Sequence, residues 1–385
     1  MRKLAVLVLG LIWAAVRASA TSVGDVRAMD QLLQERYPAN EPGAAVLVAQ
    51  NGKVILRQGY GLADLATHTP MTPDREFRVA SISKQFTAVA VLQLVADGRI
   101  GLDDPVARYL PDLFGGRDWG ITVRELLAHT SGLKNYSDVD AFRDQPTRAM
   151  STAFLWDLVK GYGVAFSPGT RWEYCNTGYM LLGALVERVT GQAFGRYLRQ
   201  NVLERAGLAN TRYGAGLDGR TAATAGVTGY SRSEDAPEAE FEPAVVLNLT
   251  QANAAGGLIT RVDDLWKWEQ AVEGGQVLAP NWVRLARSPA ALEPARTQIA
   301  KGARLRGAKA AFGDAGANAP YGLGWEIGTS SGLDTIGHGG TMCGYRSYEV
   351  EVPAARLYVV ILCNCDHPRN DPADVADEII AKLAP

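Results

Sequence analysis

The sequence predicts a two-lobed α/β (α+β) fold in which an antiparallel sheet is flanked by helices and carries a mostly helical inserted lobe. Three observations lead to this prediction. Strand-like segments occur near both ends of the chain, segments with helical periodicity fill its middle, and a last helical segment, Pro372 to Leu383, follows the final strands. We expect the strands from the two ends to join in one sheet, with helices packed on it.

The N-terminal region supplies the first half of the predicted sheet lobe. Val26 to Tyr37 has helical spacing, and Ala44 to Ala49 and Val54 to Tyr60 are predicted strands on either side of an Asn-Gly turn. Apolar residues recur at helical spacing from Gln85 to Asp97, and Gly98 follows in the manner of a C-cap. These patterns predict a helix, an antiparallel hairpin and a second helix.

The middle of the chain is predicted to form the helical lobe, at about residues 103–250. Between Tyr213 and Asn248 the periodicity fades, which indicates a long surface excursion over the cleft, and 287–318 is predicted to be an irregular insertion. Further predicted helices are Val123–Ala128, Ala153–Lys160, Gly178–Thr190 and Asp263–Val272. The predicted C-terminal strands are Tyr321–Ile327, Asp334–Gly339, Tyr345–Val352 and Leu357–Asn364.

Composition and charge narrow the classes of function. The chain has 385 residues, of which 47% are hydrophobic and 21% charged, values typical of a globular protein rather than a disordered or fibrous one. Its 39 basic and 41 acidic residues give no basic excess, so a nucleic acid is not an expected partner. We expect a small-molecule or peptide substrate, and the sequence leaves the oligomeric state open.

The first twenty residues have the pattern of a secretory signal. Met1-Arg2-Lys3 is basic, Leu4 to Val16 is apolar, and Ala18-Ser19-Ala20 is a small-residue cleavage site. The apolar stretch is shorter than the ~20 residues that span a bilayer, and no other segment approaches that length. We expect cleavage near Ala20, a mature chain of residues 21–385 without a membrane span, and a periplasmic or secreted location.

The four cysteines do not form a spaced framework. Cys363 and Cys365 fall in an apolar, strand-like run, which favours free buried thiols for these two and for Cys175 and Cys343. One disulfide, from Cys343 to Cys363 or Cys365, is the alternative, since an exported protein can oxidise its thiols.

Ser81 and Lys84 are the first candidate catalytic pair. They lie one turn apart at the start of a predicted helix, so the hydroxyl and the amine can form a hydrogen bond. Burial and the positive end of the helix dipole would lower the pKa of Lys84, which can then act as a base. The alternative is a Ser cap followed by a solvent-facing Lys.

Tyr174 and Asn176 form the second candidate pair. In an extended loop they alternate with Cys175 and therefore project to the same side. A tyrosine there can pass a proton between Ser81 and a leaving group, and Asn176 can hold a substrate amide. The alternative is a core tyrosine beside a turn asparagine.

The third candidate segment, His338-Gly339-Gly340-Thr341, lies at the end of a predicted strand. Its glycines allow close backbone approach and leave N–H groups for a substrate carbonyl. His338, Gly340 and Thr341 are therefore candidate substrate-binding residues, with His338 facing the cleft. A tight turn with a structural histidine is the alternative.

In chain order, these three segments match S-x-x-K, Y-x-N and H-x-G, and together they resemble the serine β-lactamase and penicillin-binding protein family. The resemblance also takes in the runs from Ile121 to Leu133, Ala255 to Leu258 and Tyr321 to Trp325, so it spans nearly the whole chain after the signal. The runs are most similar to the branch that contains class C β-lactamases, D-alanyl-D-alanine carboxypeptidases, D-aminopeptidases and related esterases.

The resemblance implies a β-lactamase-like fold and an acyl-enzyme mechanism without a cofactor. By resemblance, Ser81 is the nucleophile, Lys84 and Tyr174 handle its proton, and the backbone N–H groups of Ser81 and Thr341 hold the oxyanion. Tyr174 is also the candidate for activating the water that releases the acyl group.

His129 receives no catalytic role in this interpretation. Its His-Thr-Ser-Gly turn is structural in similar proteins, and the S-x-x-K arrangement already provides a base. No pair of histidines has the spacing of metal ligands, so no metal site is expected.

The implied function is that of an exported serine hydrolase acting on an amide or ester, with a D-amino-acid peptide or related cell-wall compound as the expected substrate. Esterase or β-lactamase activity of the same family is the alternative, and a non-catalytic penicillin-binding sensor or scaffold is the alternative of another class. His338 stands where K-T-G enzymes have lysine, and a largely neutral histidine attracts a carboxylate less, which disfavours efficient β-lactamase action.

Overall fold

The computed structural model describes residues 22–115, 118–214, 226–233, 240–292 and 321–384. The predicted signal, the part of the predicted insertion from residue 293 onward and parts of the 213–248 excursion lie outside the described residues. Within the described ranges, no helix combines the length and the apolar character that crossing a bilayer requires.

The helices and strands alternate irregularly along the chain. The strands are β1 Ala44–Gln50, β2 Lys53–Tyr60, β3 Leu62–Asp64, β4 Thr69–Pro70, β5 Phe77–Arg78, β6 Arg212–Tyr213, β7 Tyr230–Ser231, β8 Glu242–Pro243, β9 Leu258–Thr260, β10 Glu326–Ser330, β11 Leu333–Met342, β12 Tyr345–Val352 and β13 Leu357–Cys363. The α-helices are α1 Val23–Arg36, α2 Ser83–Ala96, α3 Pro111–Phe114, α4 Val123–Leu127, α5 Asp140–Arg143, α6 Thr152–Val159, α7 Asn176–Thr190, α8 Phe194–Leu198, α9 Leu249–Gly256, α10 Val262–Glu273, α11 Pro280–Ala286 and α12 Pro372–Leu383.

The main sheet joins strands from both ends of the chain, as the sequence predicts. Its order is β10-β11-β12-β13-β1-β2, and all neighbours are antiparallel. Ala44 pairs with Cys363 and Gln50 with Leu357, so the N-terminal hairpin continues the C-terminal strands. Every residue of β1 is buried because α1 and α12 cover one face of the sheet, while α10 and the core cluster that includes α2 cover the other.

Helix α2 lies between the sheet and the helical region formed by α7 and α9. Twelve of its 14 residues are buried, because the sheet side and the helical side both enclose it. Phe86 stacks on Trp268 of α10 with ring centroids 4.0 Å apart, and the Thr87 hydroxyl donates to the Ala254 carbonyl at 2.7 Å. The helix follows the predicted segment, although it begins two residues earlier, and Gly98 has the positive φ of +68° that a C-cap glycine adopts.

Several predicted strand boundaries are wrong in the C-terminal part. The strand predicted from Tyr321 begins only at Glu326, because Gly324 takes φ +103° and packs on α2, where a Cβ would lie 2.6 Å from the Ala88 Cβ. The next strand was predicted to end at Gly339 but continues to Met342. The glycines of the third candidate segment therefore lie inside a strand, and the tight-turn alternative is wrong.

All four cysteines are free, with Cys175, Cys363 and Cys365 buried and Cys343 partly buried. This agrees with free thiols rather than with the disulfide alternative. The C-terminal strands are therefore held without a disulfide.

An ion cluster around the buried Arg287 connects α10, the end of α11 and β12. Arg287, 8% exposed, lies 2.7 Å from Glu269, 2.5 Å from Glu273 and 3.0 Å from Glu351. These three carboxylates are close enough to resemble a cation site, but the guanidinium already engages each of them. The cluster therefore has a structural role and connects these elements.

Candidate active site

Ser81 lies in a short 3-10 turn, Ala80–Ile82, that leads directly into α2. Ala80 has φ +44°, a conformation that L-residues adopt at a cost and that persists only where the surroundings impose it. The turn packs against β11, and two side chains lie within hydrogen-bond distance of the Ser81 hydroxyl. Lys84 Nζ is 2.9 Å from Ser81 Oγ, and Tyr174 OH is 2.6 Å from it.

Lys84 is fully buried and meets three oxygen atoms. Besides Ser81 Oγ, its Nζ lies 2.8 Å from Asn176 Oδ1 and 2.8 Å from the Ala255 carbonyl oxygen. Burial lowers the pKa of Lys84 well below 10.5, and the negative charge of Glu326 only partly opposes this. A neutral amine has two N–H groups for the amide and carbonyl oxygens and keeps its lone pair for the Ser81 proton. The solvent-facing lysine of the alternative interpretation is wrong.

Tyr174 is the second group on Ser81 Oγ. Burial raises its pKa well above 10, and the hydrogen bond to Ser81 opposes this rise. The phenol is therefore protonated at neutral pH and serves as a donor toward Ser81 Oγ. Lys84 Nζ lies 4.7 Å from the centre of the Tyr174 ring, so the amine, the hydroxyl and the phenol form one compact group.

Asn176 is the first residue of α7. The prediction that it lies in an extended loop is therefore wrong. Cys175, with φ −146° and ψ 107°, is the extended residue before the helix. The expected division of side chains still holds: Tyr174 and Asn176 contact Ser81 and Lys84, whereas the Cys175 thiol turns away to the Leu133 carbonyl at 3.3 Å. Asn176 Oδ1 holds Lys84, which is a role that the sequence did not indicate.

His338 is buried, with 1% of its surface exposed. Its Nε2 lies 2.9 Å from Tyr321 OH and its Nδ1 lies 2.6 Å from the Gly339 carbonyl oxygen. Burial lowers the pKa of His338, Glu326 opposes the effect, and Lys84 adds to it. The imidazole is therefore neutral at pH 7 and enclosed, rather than open to the cleft as predicted.

Gly340 brings β11 against the nucleophile. A Cβ at this position would lie 2.3 Å from the Val79 carbonyl oxygen and 3.1 Å from the Ser81 nitrogen. Only glycine permits this approach. Thr341 follows directly, so its backbone is close to that of Ser81, and its hydroxyl accepts a hydrogen bond from Arg346 at 3.2 Å.

His129 supports Tyr174 rather than Ser81. Its Nδ1 accepts the Cys175 backbone N–H at 3.1 Å, its carbonyl accepts the Glu173 N–H at 2.9 Å, and its ring lies 4.3 Å from the Tyr174 ring. Burial, followed by the charge of Lys84, lowers the pKa of His129 well below 6.5. This geometry agrees with a structural histidine and does not form a Ser-His-Asp triad.

Sequence reasoning missed several neighbours of the site. Ala255 and Tyr321 lie in runs that carried the family resemblance, yet no role followed for them from pattern alone. The Ala255 carbonyl holds Lys84, and Tyr321 holds His338. Glu326, whose carboxylate is 3.4 Å from His338 Nδ1, gave no signal in the sequence because acidic residues at strand ends are common.

Comparisons with known proteins agree with this geometry. The chain matches the Beta-lactamase family over residues 29–383. A D-aminopeptidase of Brucella anthropi is 31% identical over 334 residues, covering 86% of this chain and 58% of that protein, so the chain spans less than two thirds of that relative's length.

Solved structures show the same architecture. A D-stereospecific amidohydrolase from Streptomyces sp. is 26% identical with a TM-score of 0.72, over 93% of this chain and 98% of that one. The octameric penicillin-binding protein homologue from Pyrococcus abyssi is 24% identical with a TM-score of 0.74, over 94% of this chain and 77% of that one. The second similarity concerns the fold alone.

Proposed function

This chain belongs to the Beta-lactamase family and is a serine hydrolase of the β-lactamase and D,D-peptidase type, and from this premise we propose that it hydrolyses amides of D-amino acids through an acyl-enzyme on Ser81. The observation that carries the proposal is the buried Lys84, which contacts Ser81 Oγ at 2.9 Å while two other oxygens occupy its N–H groups. A lysine held in this way is a base.

Acylation begins when Lys84 accepts the Ser81 proton and Ser81 Oγ attacks the substrate carbonyl carbon. The backbone N–H groups of Ser81 and Thr341 stabilise the resulting oxyanion. Tyr174, 2.6 Å from Ser81 Oγ, donates its proton to the leaving nitrogen as the carbon–nitrogen bond breaks, and it then regains the proton that Lys84 took from Ser81. The amine departs and an ester on Ser81 remains.

Deacylation uses the same groups in reverse. A water molecule enters where the amine has left and attacks the ester carbonyl while one of its protons passes through the Tyr174 hydroxyl to Lys84. Because burial raises the pKa of Tyr174 and lowers that of Lys84, the phenol keeps a proton and relays the proton of the water to the Lys84 amine. The Ser81 oxygen regains a proton when the acid is released.

The proposed substrate class rests on the relatives and on His338. A D-aminopeptidase and a D-stereospecific amidohydrolase are among the similar proteins. The neutral, enclosed His338 supplies no cation for a substrate carboxylate, which disfavours β-lactams and carboxylate-terminated D-peptides. D-amino acid amides lack that carboxylate and therefore suit the site better. Esters are the second candidate class, because an alkoxide leaves without the protonation that an amine needs.

The test compares D-phenylalanine amide with L-phenylalanine amide, a nitrophenyl ester and a cephalosporin. We expect ammonia release from the D-amide at least tenfold faster than from its enantiomer, and a loss of about 10⁴-fold or more in Ser81→Ala. Ser331→Ala, in the exposed turn between β10 and β11, is the matched control and should keep full activity. Stable labelling by penicillin without turnover would instead identify a sensor.

Export is the second part of the proposal, and the basic, apolar and small-residue pattern of residues 1–20 supports it. Expression of the full chain in a bacterium with two membranes should place the protein in the periplasmic fraction. N-terminal sequencing should then begin at Thr21. Retention of Met1 in a cytoplasmic fraction would contradict this part of the proposal.

A further inference from the structure

An acidic side chain lies where β11 extends past its neighbour. Glu326 begins β10 and pairs with Gly337, whereas β11 continues to Met342. Among the residues that the structure describes, no strand pairs with this last stretch of β11 on the β10 side. The stretch is therefore an open strand edge, and Glu326 stands at its beginning.

The open edge leads to the nucleophile. Gly340 lies two residues past His338, about 7 Å along the strand, and its backbone packs against that of Ser81. A substrate that lies along this edge with its carbonyl at Ser81 has one end near Glu326.

The end of the substrate near Glu326 belongs to the leaving group. Tyr174 donates to Ser81 Oγ, and its ring centre is 6.4 Å from that of His338, the residue beside Glu326. The leaving group must reach the Tyr174 hydroxyl to receive its proton. It therefore departs on the side of the site where His338 and Glu326 lie.

Among the described residues, no cation neutralises the charge of Glu326. Its side chain is 46% exposed, and its ionic neighbour in the described part of the chain is His338 Nδ1 at 3.4 Å. His338 cannot balance the charge, since it is neutral and directs Nδ1 to the Gly339 carbonyl oxygen. Arg346, the cation beside Thr341, is paired with Asp371.

We propose that Glu326 is a specificity-determining residue that disfavours substrates with a carboxylate on the leaving group and favours neutral or cationic leaving groups. The proposal rests on the proposed acyl-enzyme function and narrows its substrates. The repulsion energy of two like charges in contact at a half-exposed site lies between its value in bulk water and its value at a protein surface. We therefore expect the charge of the leaving group to change kcat/KM by about tenfold.

The test uses aryl phenylacetates that differ only in the leaving phenol: 3-carboxyphenol, 3-carbamoylphenol and 3-(aminomethyl)phenol. Phenol release and the mass of acylated Ser81 give kcat/KM and the acylation rate for each ester. For the wild type we expect the carbamoyl ester to be about tenfold better than the carboxy ester, with the ammonium ester at least as good as the carbamoyl one. This preference should shrink in 1 M salt, where the Debye length is about 3 Å.

Glu326→Gln should reduce the tenfold ratio to about one, and Glu326→Lys should reverse it. Asp334→Asn is the matched control, because it changes the charge equally on the same strand pair but lies four residues, about 13 Å, from His338. It should keep the wild-type ratio. Thermal melting of each variant verifies folding before the comparison.

An unchanged ratio in both folded Glu326 variants, or the absence of a preference in the wild type, would overturn the proposal. These esters contain no amino acid, so the test is separate from that of D-amide hydrolysis. Charge-dependent ester cleavage without D-amide cleavage refutes only the proposed substrate class. If the protein cleaves the D-amide but both Glu326 variants keep the wild-type ratio of ester cleavage rates, only the role of this residue is refuted.

Discussion

Glu349 offers a quantitative test of the buried polar network behind the active site. It lies on β12 opposite His338, is 1% exposed, accepts a hydrogen bond from Tyr358 OH at 2.7 Å and accepts a second from the Gln85 amide. Burial, followed by the charge of Glu269, raises the pKa of Glu349 from 4.5 to about 7. We predict that Glu349→Gln changes the free energy of unfolding, relative to the wild type, more favourably at alkaline pH than at acidic pH.

The sign and size follow from the two pKa values. Below pH 4.5 the carboxyl is protonated in both the folded and the unfolded chain, so its ionisation does not change the free energy of unfolding. Between pH 4.5 and about 7 the unfolded chain loses its proton first, and folding becomes less favourable. The rise from 4.5 to about 7 corresponds to about 3 kcal/mol at pH 8. Glutamine cannot ionise, and its amide oxygen and nitrogen can keep both hydrogen bonds.

Urea unfolding at pH 4.5 and pH 8 measures this effect. The free energy of unfolding of Glu349→Gln minus that of the wild type should be about 3 kcal/mol more positive at pH 8 than at pH 4.5. Glu35→Gln, at an exposed position on α1, is the control and should show no comparable change. Equal differences at the two pH values would refute the reasoning.

Further predictions concern the site and the ion cluster. Tyr174→Phe should lower kcat by about 10²–10³-fold without changing the melting temperature, as steady-state assays and thermal melts would reveal. Gly340→Ala should lower kcat/KM at least tenfold, because its Cβ would lie 2.3 Å from the Val79 carbonyl oxygen; a neutral result in the same assay would contradict the close approach. Arg287→Met should cost about 3–5 kcal/mol in urea unfolding, since it leaves the buried Glu269 and the partly buried Glu351 without their cationic partner. The acylation rate should rise as pH increases through the lowered pKa of Lys84, and a stopped-flow pH profile whose acid limb lies near 10.5 would contradict this.

The elements that periodicity defines were predictable from the sequence. Helix α2 and the N-terminal hairpin have regular spacing of apolar residues and clear turn residues at their ends, so local physics determines them. The S-x-x-K spacing also placed Ser81 and Lys84 correctly, because residues three apart at a helix start face each other.

Contacts between distant segments were not predictable in the same way. Asn176 begins a helix because the residues after it have helical spacing, but its contact with Lys84 joins positions 92 residues apart. Glu349 meets Gln85 across 264 residues, and no local pattern encodes that distance. The strand boundary at Glu326 depended on the packing of Gly324 against α2, which only the folded chain reveals.

The enclosure of α2 has a consequence for how the enzyme can lose activity. Because the helix that carries Lys84 contributes to the core on all sides, its first turn cannot fray without opening the whole domain. Heat inactivation and loss of tertiary structure should therefore occur at the same temperature, and the rate of Ser81 acylation can report on global unfolding. Adaptation to new substrates must then proceed through residues at the rim, because any change along α2 affects stability and catalysis together.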